Sequence, residues 1–214
     1  MKTLFESVTG SKGYGLDLPD SDTDILRVIA HGFENYLGLE PYTEAKHILE
    51  GENDVVVYDV RFFAKLLLKG SFNALLPLFF DGTFVEQTFE GFIANRQKFF
   101  TINSVRSFYG FGSRSYKEFL EKGDYKAAAN GLFILENLGS LALFGTTNFY
   151  FSELLRSVKQ GKEKREYVVW HFENCLEIYK PENLVNETFV FSEKEASRLL
   201  SQLTLKCLER GGYE

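Results

Sequence analysis

Two aspartates separated by one residue, Asp22 and Asp24, end the loop GSKGYGLDLPDSDTD, which begins at Gly10. If a strand starts at this point, alternation places both carboxylates on the same face. Two carboxylates a few ångströms apart repel each other, and a divalent cation that prefers oxygen ligands, such as Mg²⁺ or Mn²⁺, removes that repulsion. The pattern therefore fits a divalent-metal site, although alone it is more typical of an aspartate-rich polar turn.

A Gly-Ser pair, Gly10 and Ser11, precedes these aspartates by about eleven residues. Glycine allows backbone N–H groups to approach a phosphate closely, and the serine adds a hydroxyl donor. Alone, the pair also fits an ordinary turn after a strand. A phosphate-binding turn beside paired carboxylates has the components needed to bind a nucleoside triphosphate, so the combination favours that hypothesis.

Three short apolar runs can position this loop as strands: residues 4–8, 25–29 and 55–58. The third run, VVVY, passes directly into DVRFFAKLLLKG, where the apolar period changes from 2 to about 3.6. Asp59 stands where that helix needs an N-cap, and Gly70 follows it as a C-terminal stop. The first third of the chain therefore predicts a small mixed sheet with helices.

Helix patterns dominate after about residue 84. The predicted helices cover residues 85–99, 104–111, 115–122, 124–144, 149–159, 162–179 and 192–210, with breaks at glycines that include Gly112. The fold class predicted is α+β, with a small mixed sheet followed by a mostly α-helical part. We place the boundary between two domains at residue 82, giving 1–82 and 83–214.

The amino-acid composition and net charge indicate which classes of protein this chain can belong to. The chain has 214 residues, of which 44% are hydrophobic, and a net charge of −6, so it is globular and does not have the basic character of a non-specific nucleic-acid binder. No apolar run approaches 18 residues, so we expect no membrane span. The two cysteines, Cys175 and Cys207, lack framework spacing, and we expect reduced thiols in a cytoplasmic protein.

The loop resembles a known signature. GSKGYGLDLPDSDTD is similar to the G-S-x-A-Y-G-L-x-x-P-x-S-D-x-D motif of a branch of the DNA polymerase beta-like nucleotidyltransferase superfamily that is associated with RNA-repair pathways. DVVVYDVRFFAKLLLKGSFNALLPLFF resembles the next segment of that branch, and GDYKAAANGLFILENL its helical half. The resemblance is most specific over residues 8–80.

The resemblance implies a catalytic core in residues 1–82 and a set of site residues. Asp22 and Asp24 would bind Mg²⁺ or Mn²⁺, and Gly10 and Ser11 would hold the triphosphate. A third carboxylate is also needed, and Asp54 and Asp59 compete for that role. Asp54 falls on the acid of the motif and is favoured, because capping a helix already explains Asp59.

Two further residues are candidates for binding the nucleotide. Tyr14 could stack on a base or simply line the core. Lys126 falls on the lysine of the family-like Lys-Ala-Ala run, whereas the other lysines of the helical half read as solvated surface. In the helical half, Asn130 and Phe133 replace a histidine and an arginine of the branch, and Arg27 is shifted by one position, so no role is transferred to it.

The implied activity is Mg²⁺-dependent transfer of a nucleoside monophosphate from a nucleoside triphosphate to a hydroxyl acceptor, with RNA or a tRNA end as the acceptor. Two alternatives stay open: a transferase that adds AMP to a protein, and a catalytically silent nucleotide-binding module that has kept the fold. The intact Gly10, Ser11, Asp22, Asp24 and Asp54 argue against the silent module.

Overall fold

The structure is a computed structural model and describes residues 1–38, 43–80, 82–147, 152–187 and 189–211. Within these ranges five strands form one mixed sheet in the order β3-β4-β2-β1-β5. Strands β2 and β4 are parallel and the other neighbours are antiparallel. The strands are β1 Lys2–Thr9, β2 Thr23–Ala30, β3 Ala45–Glu50, β4 Asn53–Asp59 and β5 Phe84–Val85.

Helices account for most of the remaining described chain, which confirms the α+β fold class with a helical C-terminal part. They are α1 Gly10–Gly13, α2 Phe33–Leu37, α3 Val60–Leu68, α4 Phe72–Leu75, α5 Glu90–Ala94, α6 Ile102–Lys122, α7 Tyr125–Phe144, α8 Ser152–Lys159, α9 Arg165–Ile178, α10 Pro181–Leu184 and α11 Glu193–Gly211. Short 3-10 turns cover Leu76–Phe79, Gln87–Phe89 and Arg96–Phe99.

The three strands predicted from sequence are confirmed as β1, β2 and β4, whereas β3 and β5 were missed. Strand β3 is an edge strand whose residues are mostly exposed, and β5 has only two residues, so neither carries a clear apolar alternation. The helix predicted over 85–99 is wrong as a single element, because β5, two 3-10 turns and α5 occupy that stretch.

The helical half shows two further differences. The break predicted at Gly112 is wrong, because α6 continues through that residue. A Cβ at Gly112 would lie 2.4 Å from Leu135 Cγ, so the missing side chain lets α7 pack closely against α6. The GFGS sequence at 110–113 lies inside that helix. The helix predicted from 149 is described from Ser152, and its first three residues lie outside the described ranges.

The two faces of the sheet differ. Leu26 and Val28 of β2 face the helices and belong to a hydrophobic core that includes α3, α6 and α7. Ile29, Val55 and Val57 form a smaller cluster on the opposite face. Side chains at the even positions of β2 and β4 therefore point toward the helical half, and those at the odd positions point away from it.

Helix α7 is long and apolar enough, by length and composition, to cross a membrane. Its most apolar window is 72% buried inside the protein, and its buried residues belong to the hydrophobic core. These properties are those of a core helix. The absence of membrane contact stays a prediction, as does the domain boundary at residue 82.

Candidate active site

The turn after β1 brings the backbone against a carboxylate. Gly10 has φ +59°, in the left-handed region, and an added Cβ would lie 1.8 Å from Asp24 Oδ2. A side chain at this position would strain the backbone and displace the carboxylate. Gly10 therefore allows the α1 turn to contact the first residues of β2.

Three acids come together at the beginning of the parallel strands. Asp24 is directly paired with Asp54 in the β2–β4 register, and Asp22 lines the same cavity of about 360 Å³ as Asp24. Burial raises the pKa of Asp24, and the charges of Asp54 and then Asp22 raise it further, despite the opposing charges of Lys126 and His47. The donor set is all carboxylate oxygen and its repulsion is not fully compensated, so it fits a divalent cation such as Mg²⁺.

Asp54 and Asp59 occupy opposite ends and opposite faces of β4. Asp54 lies beside Asp24, and its Oδ1 is 2.6 Å from Nε2 of His47 on β3. Asp59 is 1% exposed, accepts a 2.9 Å hydrogen bond from Arg61 N at the start of α3, and also accepts from the Tyr36 hydroxyl. The structure therefore brings Asp54 to the site and gives Asp59 a capping position, although the catalytic role of Asp54 stays a prediction.

Two lysines from different helices line the same cavity as Asp22 and Asp24. One is Lys126, in the first turn of α7, and its role in nucleotide binding stays a prediction. Lys159, at the end of α8, also lines the cavity, and its Nζ donates to Ser11 Oγ at 2.7 Å and to the Leu16 carbonyl at 2.9 Å. Burial lowers the pKa of Lys159, and the neighbouring Lys126 charge lowers it further.

The sequence alone indicates a solvated surface position for Lys159, whereas the folded chain brings it to Ser11. Its position 148 residues from Ser11 leaves no local pattern that reveals the contact. The one available sign was the basic spacing of SELLRSVKQGK, in which Arg156 also reaches the loop through Asp17 at 3.2 Å. Helix α8 therefore anchors the Gly10–Asp24 loop at two points.

Tyr14 lies mostly in the core. It is 9% exposed, its ring stacks on Phe133 with centroids 4.5 Å apart, and burial, followed by the nearby Asp24 charge, raises its pKa. The side chain lines a second cavity of about 210 Å³, which it shares with Asp24 and Tyr58. Tyr14 is thus part of a wall next to the carboxylates, and its role in nucleotide binding stays a prediction.

Two polar residues near the carboxylates were not predicted as site residues. Asn73 of α4 lines the second cavity, and it lies in the segment DVVVYDVRFFAKLLLKGSFNALLPLFF, which resembles the branch. His47 lies on the missed strand β3, so its contact with Asp54 could not be foreseen. Arg27 points to the opposite face, as expected, and pairs there with Glu6 and Glu50.

Comparison with known proteins agrees with the geometry. The family model of RlaP, the RNA repair pathway DNA polymerase beta family, matches residues 1–135. No curated protein matches the chain significantly. Among solved structures, the chain is similar to a nucleotidyltransferase-like protein from Exiguobacterium sibiricum 255-15, at 12% identity and a TM-score of 0.31, covering 99% of this chain and 71% of that one. A TM-score of that size carries no argument about activity.

Proposed function

The chain belongs to the RNA repair pathway DNA polymerase beta family, and from that premise we propose that it transfers a nucleoside monophosphate from a nucleoside triphosphate to a hydroxyl acceptor. The observation that carries the proposal is a cavity lined by Asp22, Asp24, Lys126 and Lys159, with Asp54 paired directly beside Asp24 in the β2–β4 register. A cavity lined by both carboxylates and ammonium groups suits a substrate that carries phosphates and arrives with divalent cations.

Asp22, Asp24 and Asp54 would hold Mg²⁺ or Mn²⁺. When bound, such ions neutralise the triphosphate and make an acceptor hydroxyl a better nucleophile at neutral pH. The match between the ions and the site is supported by the raised pKa of Asp24, because a carboxylate that is costly to ionise alone gains most from a cation.

The basic residues would orient the triphosphate. Lys126 and Lys159 both line the cavity and can donate to phosphate oxygens there. Lys159 currently donates to Ser11 Oγ, so a phosphate that took this contact would also gain the Ser11 hydroxyl as a donor. These contacts hold the α-phosphorus still and act by positioning and charge neutralisation.

The transfer itself is an in-line displacement. The acceptor oxygen forms a bond to the α-phosphorus while the bond to the oxygen of pyrophosphate breaks, and the hydroxyl proton passes to the carboxylate of Asp54. Tyr14, Tyr58 and Leu26 line the second cavity beside Asp24, where the nucleoside portion would find apolar contacts. RNA or a tRNA end is the acceptor that we propose.

Labelling experiments test the activity and the acceptor together. The protein is incubated with Mg²⁺ and each α-labelled nucleoside triphosphate, with total RNA or with cell lysate. Label on RNA supports the proposal, label on protein favours AMP addition to a protein, and triphosphate binding without label favours a silent module. We expect an Asp22→Asn/Asp24→Asn variant to lose about 100-fold or more of the labelling rate.

The matched control is Glu52→Gln, which removes one negative charge at an exposed residue in the turn between β3 and β4. It should label at close to the wild-type rate. A double variant that is folded by circular dichroism and labels as fast as the wild type would contradict the assignment of Asp22 and Asp24.

A further inference from the structure

A second group of metal-ligating side chains lies in the helical half, away from the acids of the nucleotide site. Glu136 on α7 and His171 and Cys175 on α9 place a carboxylate oxygen, a ring nitrogen and a sulfur within 4.8 Å of one another. His171 and Cys175 are four residues apart, so one face of α9 carries both. His171 is 8% exposed and Cys175 4%.

Contacts within this group already approach the geometry of a coordinated ion. Glu136 Oε1 is 2.7 Å from His171 Nε2 and 3.4 Å from Cys175 Sγ. In a tetrahedral zinc site, ligand atoms at normal bond lengths are separated by about 3.3 to 3.5 Å. The Glu–Cys pair has that separation, and the Glu–His pair reaches it by moving apart by roughly half an ångström.

Charge also favours one particular class of ion. Bound to one carboxylate, one thiolate and a neutral imidazole, a dication gives a site with no net charge, which suits a buried position. Mg²⁺ and Ca²⁺ prefer all-oxygen ligands, whereas a mixed nitrogen, sulfur and oxygen set is typical of Zn²⁺.

From this arrangement we infer that Glu136, His171 and Cys175 form a Zn²⁺ site that joins α7 to α9, with water as the fourth ligand. Binding forms three protein–zinc bonds, and the Cys175 S–H proton is released to solvent. Cys175 Sγ donates to Glu136 Oε1 at 3.4 Å, so the thiol carries the proton that binding releases.

The surroundings of the group support a built site. Tyr179, at the end of α9, lies one turn after Cys175, and its backbone N–H donates to the Cys175 carbonyl at 2.9 Å. It fits there because Gly139, one turn after Glu136, has no side chain, and a Cβ at that position would lie 2.3 Å from the Tyr179 ring. The ligands are thus enclosed by the helices that the ion would join.

The experiment titrates the full-length protein with Zn²⁺ against a chromophoric chelator and measures bound zinc by elemental analysis. Because Zn²⁺ can also bind the carboxylates of the nucleotide site, the Asp22→Asn/Asp24→Asn variant is the reference protein. We expect one tightly bound zinc per chain in that variant, release of about one proton at a pH below the thiol pKa, and a higher Tm in the presence of Zn²⁺.

In the same background, Cys175→Ser should weaken zinc binding by at least about tenfold, and His171→Gln should do the same. Cys207→Ser is the matched control, because Cys207 is the other buried thiol and lies apart from this group, donating to the Thr88 carbonyl. It should keep the site.

A second measurement tests the site even if Cys175→Ser or His171→Gln does not fold. Co²⁺ added to the Asp22→Asn/Asp24→Asn protein should give a thiolate-to-metal charge-transfer band, which Cys207→Ser retains. Absence of that band, absence of bound zinc, or unchanged binding by a folded Cys175→Ser variant would each overturn the site. None of these results depends on the proposed transferase activity.

Discussion

At the residue scale, Asp24 is the side chain on which the candidate active site is centred. The Asp24 carboxylate occupies the space that a side chain at Gly10 would fill. Asp24 is also paired with Asp54 on the neighbouring strand β4. Burial and the neighbouring acids raise its pKa, so ionised Asp24 costs the folded protein free energy when no cation is present. Ionised Asp24 therefore does not stabilise the fold in the absence of a cation.

This cost gives a prediction with a defined dependence on pH. When folding raises the pKa of a carboxyl, the folded protein loses stability as the pH rises from the ordinary pKa of that carboxyl through the raised pKa. Asp24→Asn should therefore be more stable than the wild type at pH 7 in chelator, by about 2 °C in Tm after allowing for solvent screening. Below about pH 4 the Asp24 carboxyl is protonated in both the folded and the unfolded protein, so the difference in Tm between Asp24→Asn and the wild type should disappear.

Thermal unfolding of Asp24→Asn, Asp20→Asn and the wild type at pH 7 and pH 4 checks this. Asp20→Asn removes an equal charge from an exposed position, so its Tm should differ less from the wild type at pH 7. Adding Mg²⁺ should stabilise the wild type and not Asp24→Asn. Identical Tm values for the wild type and Asp24→Asn at pH 7 would show that ionised Asp24 does not destabilise the folded protein.

At the element scale, strand β4 carries an acid at each end and uses them differently. Its parallel pairing with β2 places Asp54 beside Asp24, while its last residue, Asp59, caps α3. Position along a single strand thus separates the carboxylate that lies beside Asp24 at the candidate site from the one that caps a helix.

Replacing the two acids separately distinguishes these roles. Asp54→Asn should reduce the transfer rate by about 100-fold or more, with a change in the free energy of unfolding below about 1 kcal/mol, because its ion pair with His47 is largely exposed. Asp59→Ala should cost about 2 to 3 kcal/mol, because a buried cap and a buried hydroxyl partner are lost, and should leave the rate of the folded protein nearly unchanged. Denaturant unfolding and single-turnover rates measure both, and the reverse pattern would assign the third carboxylate to Asp59.

Helix α8 contributes to the site through its last residue. Lys159 joins that helix to Ser11 and Leu16, so we expect Lys159→Met to lower kcat/KM for the triphosphate by roughly 10- to 100-fold, mainly through KM. Lys126→Met should act in the same direction. Lys162→Met, at an exposed residue just beyond α8, is the control and should leave kcat/KM unchanged. Equal values for Lys159→Met and the wild type would limit Lys159 to the surface role that the sequence suggested.

At the scale of the whole molecule, one hydrophobic core extends across the proposed boundary at residue 82. Phe5 of β1 stacks on Phe89 with centroids 5.0 Å apart, and Phe63 of α3 contacts both Phe89 and Phe92. The fifth strand of the sheet, β5, also lies beyond that residue. The sheet and the helical half therefore share their apolar contacts.

A fragment comprising residues 1–82 should consequently fail to fold alone, since Phe5 and Phe63 would be exposed to water. We expect it to be insoluble or to lack a cooperative thermal transition, whereas the full chain unfolds cooperatively. Solubility, near-UV circular dichroism and differential scanning calorimetry test this. A soluble fragment with a sharp transition would establish residues 1–82 as an independent domain.

Local sequence patterns determined much of the molecule. Strands β1, β2 and β4, the cap at Asp59 and the loop with Gly10, Ser11, Asp22 and Asp24 were predictable, because alternation, turn residues and capping preferences act between residues close in the chain. The placement of Asp54 followed from the same alternation along β4, combined with the family resemblance.

Tertiary structure alone decided the contacts between distant segments. Three examples are the contact of Lys159 with Ser11, the contact of His47 with Asp54, and the group of Glu136, His171 and Cys175. These contacts join elements separated by seven to 148 residues, and single residues at such separations leave no periodic pattern. Gly112 illustrates the same limit, because local preference ends a helix there while close packing against Leu135 continues it. The sequence determined which chemistry the loop could perform, and packing of the helical half decided which side chains surround it, since packing depends on shapes that meet only in the folded chain.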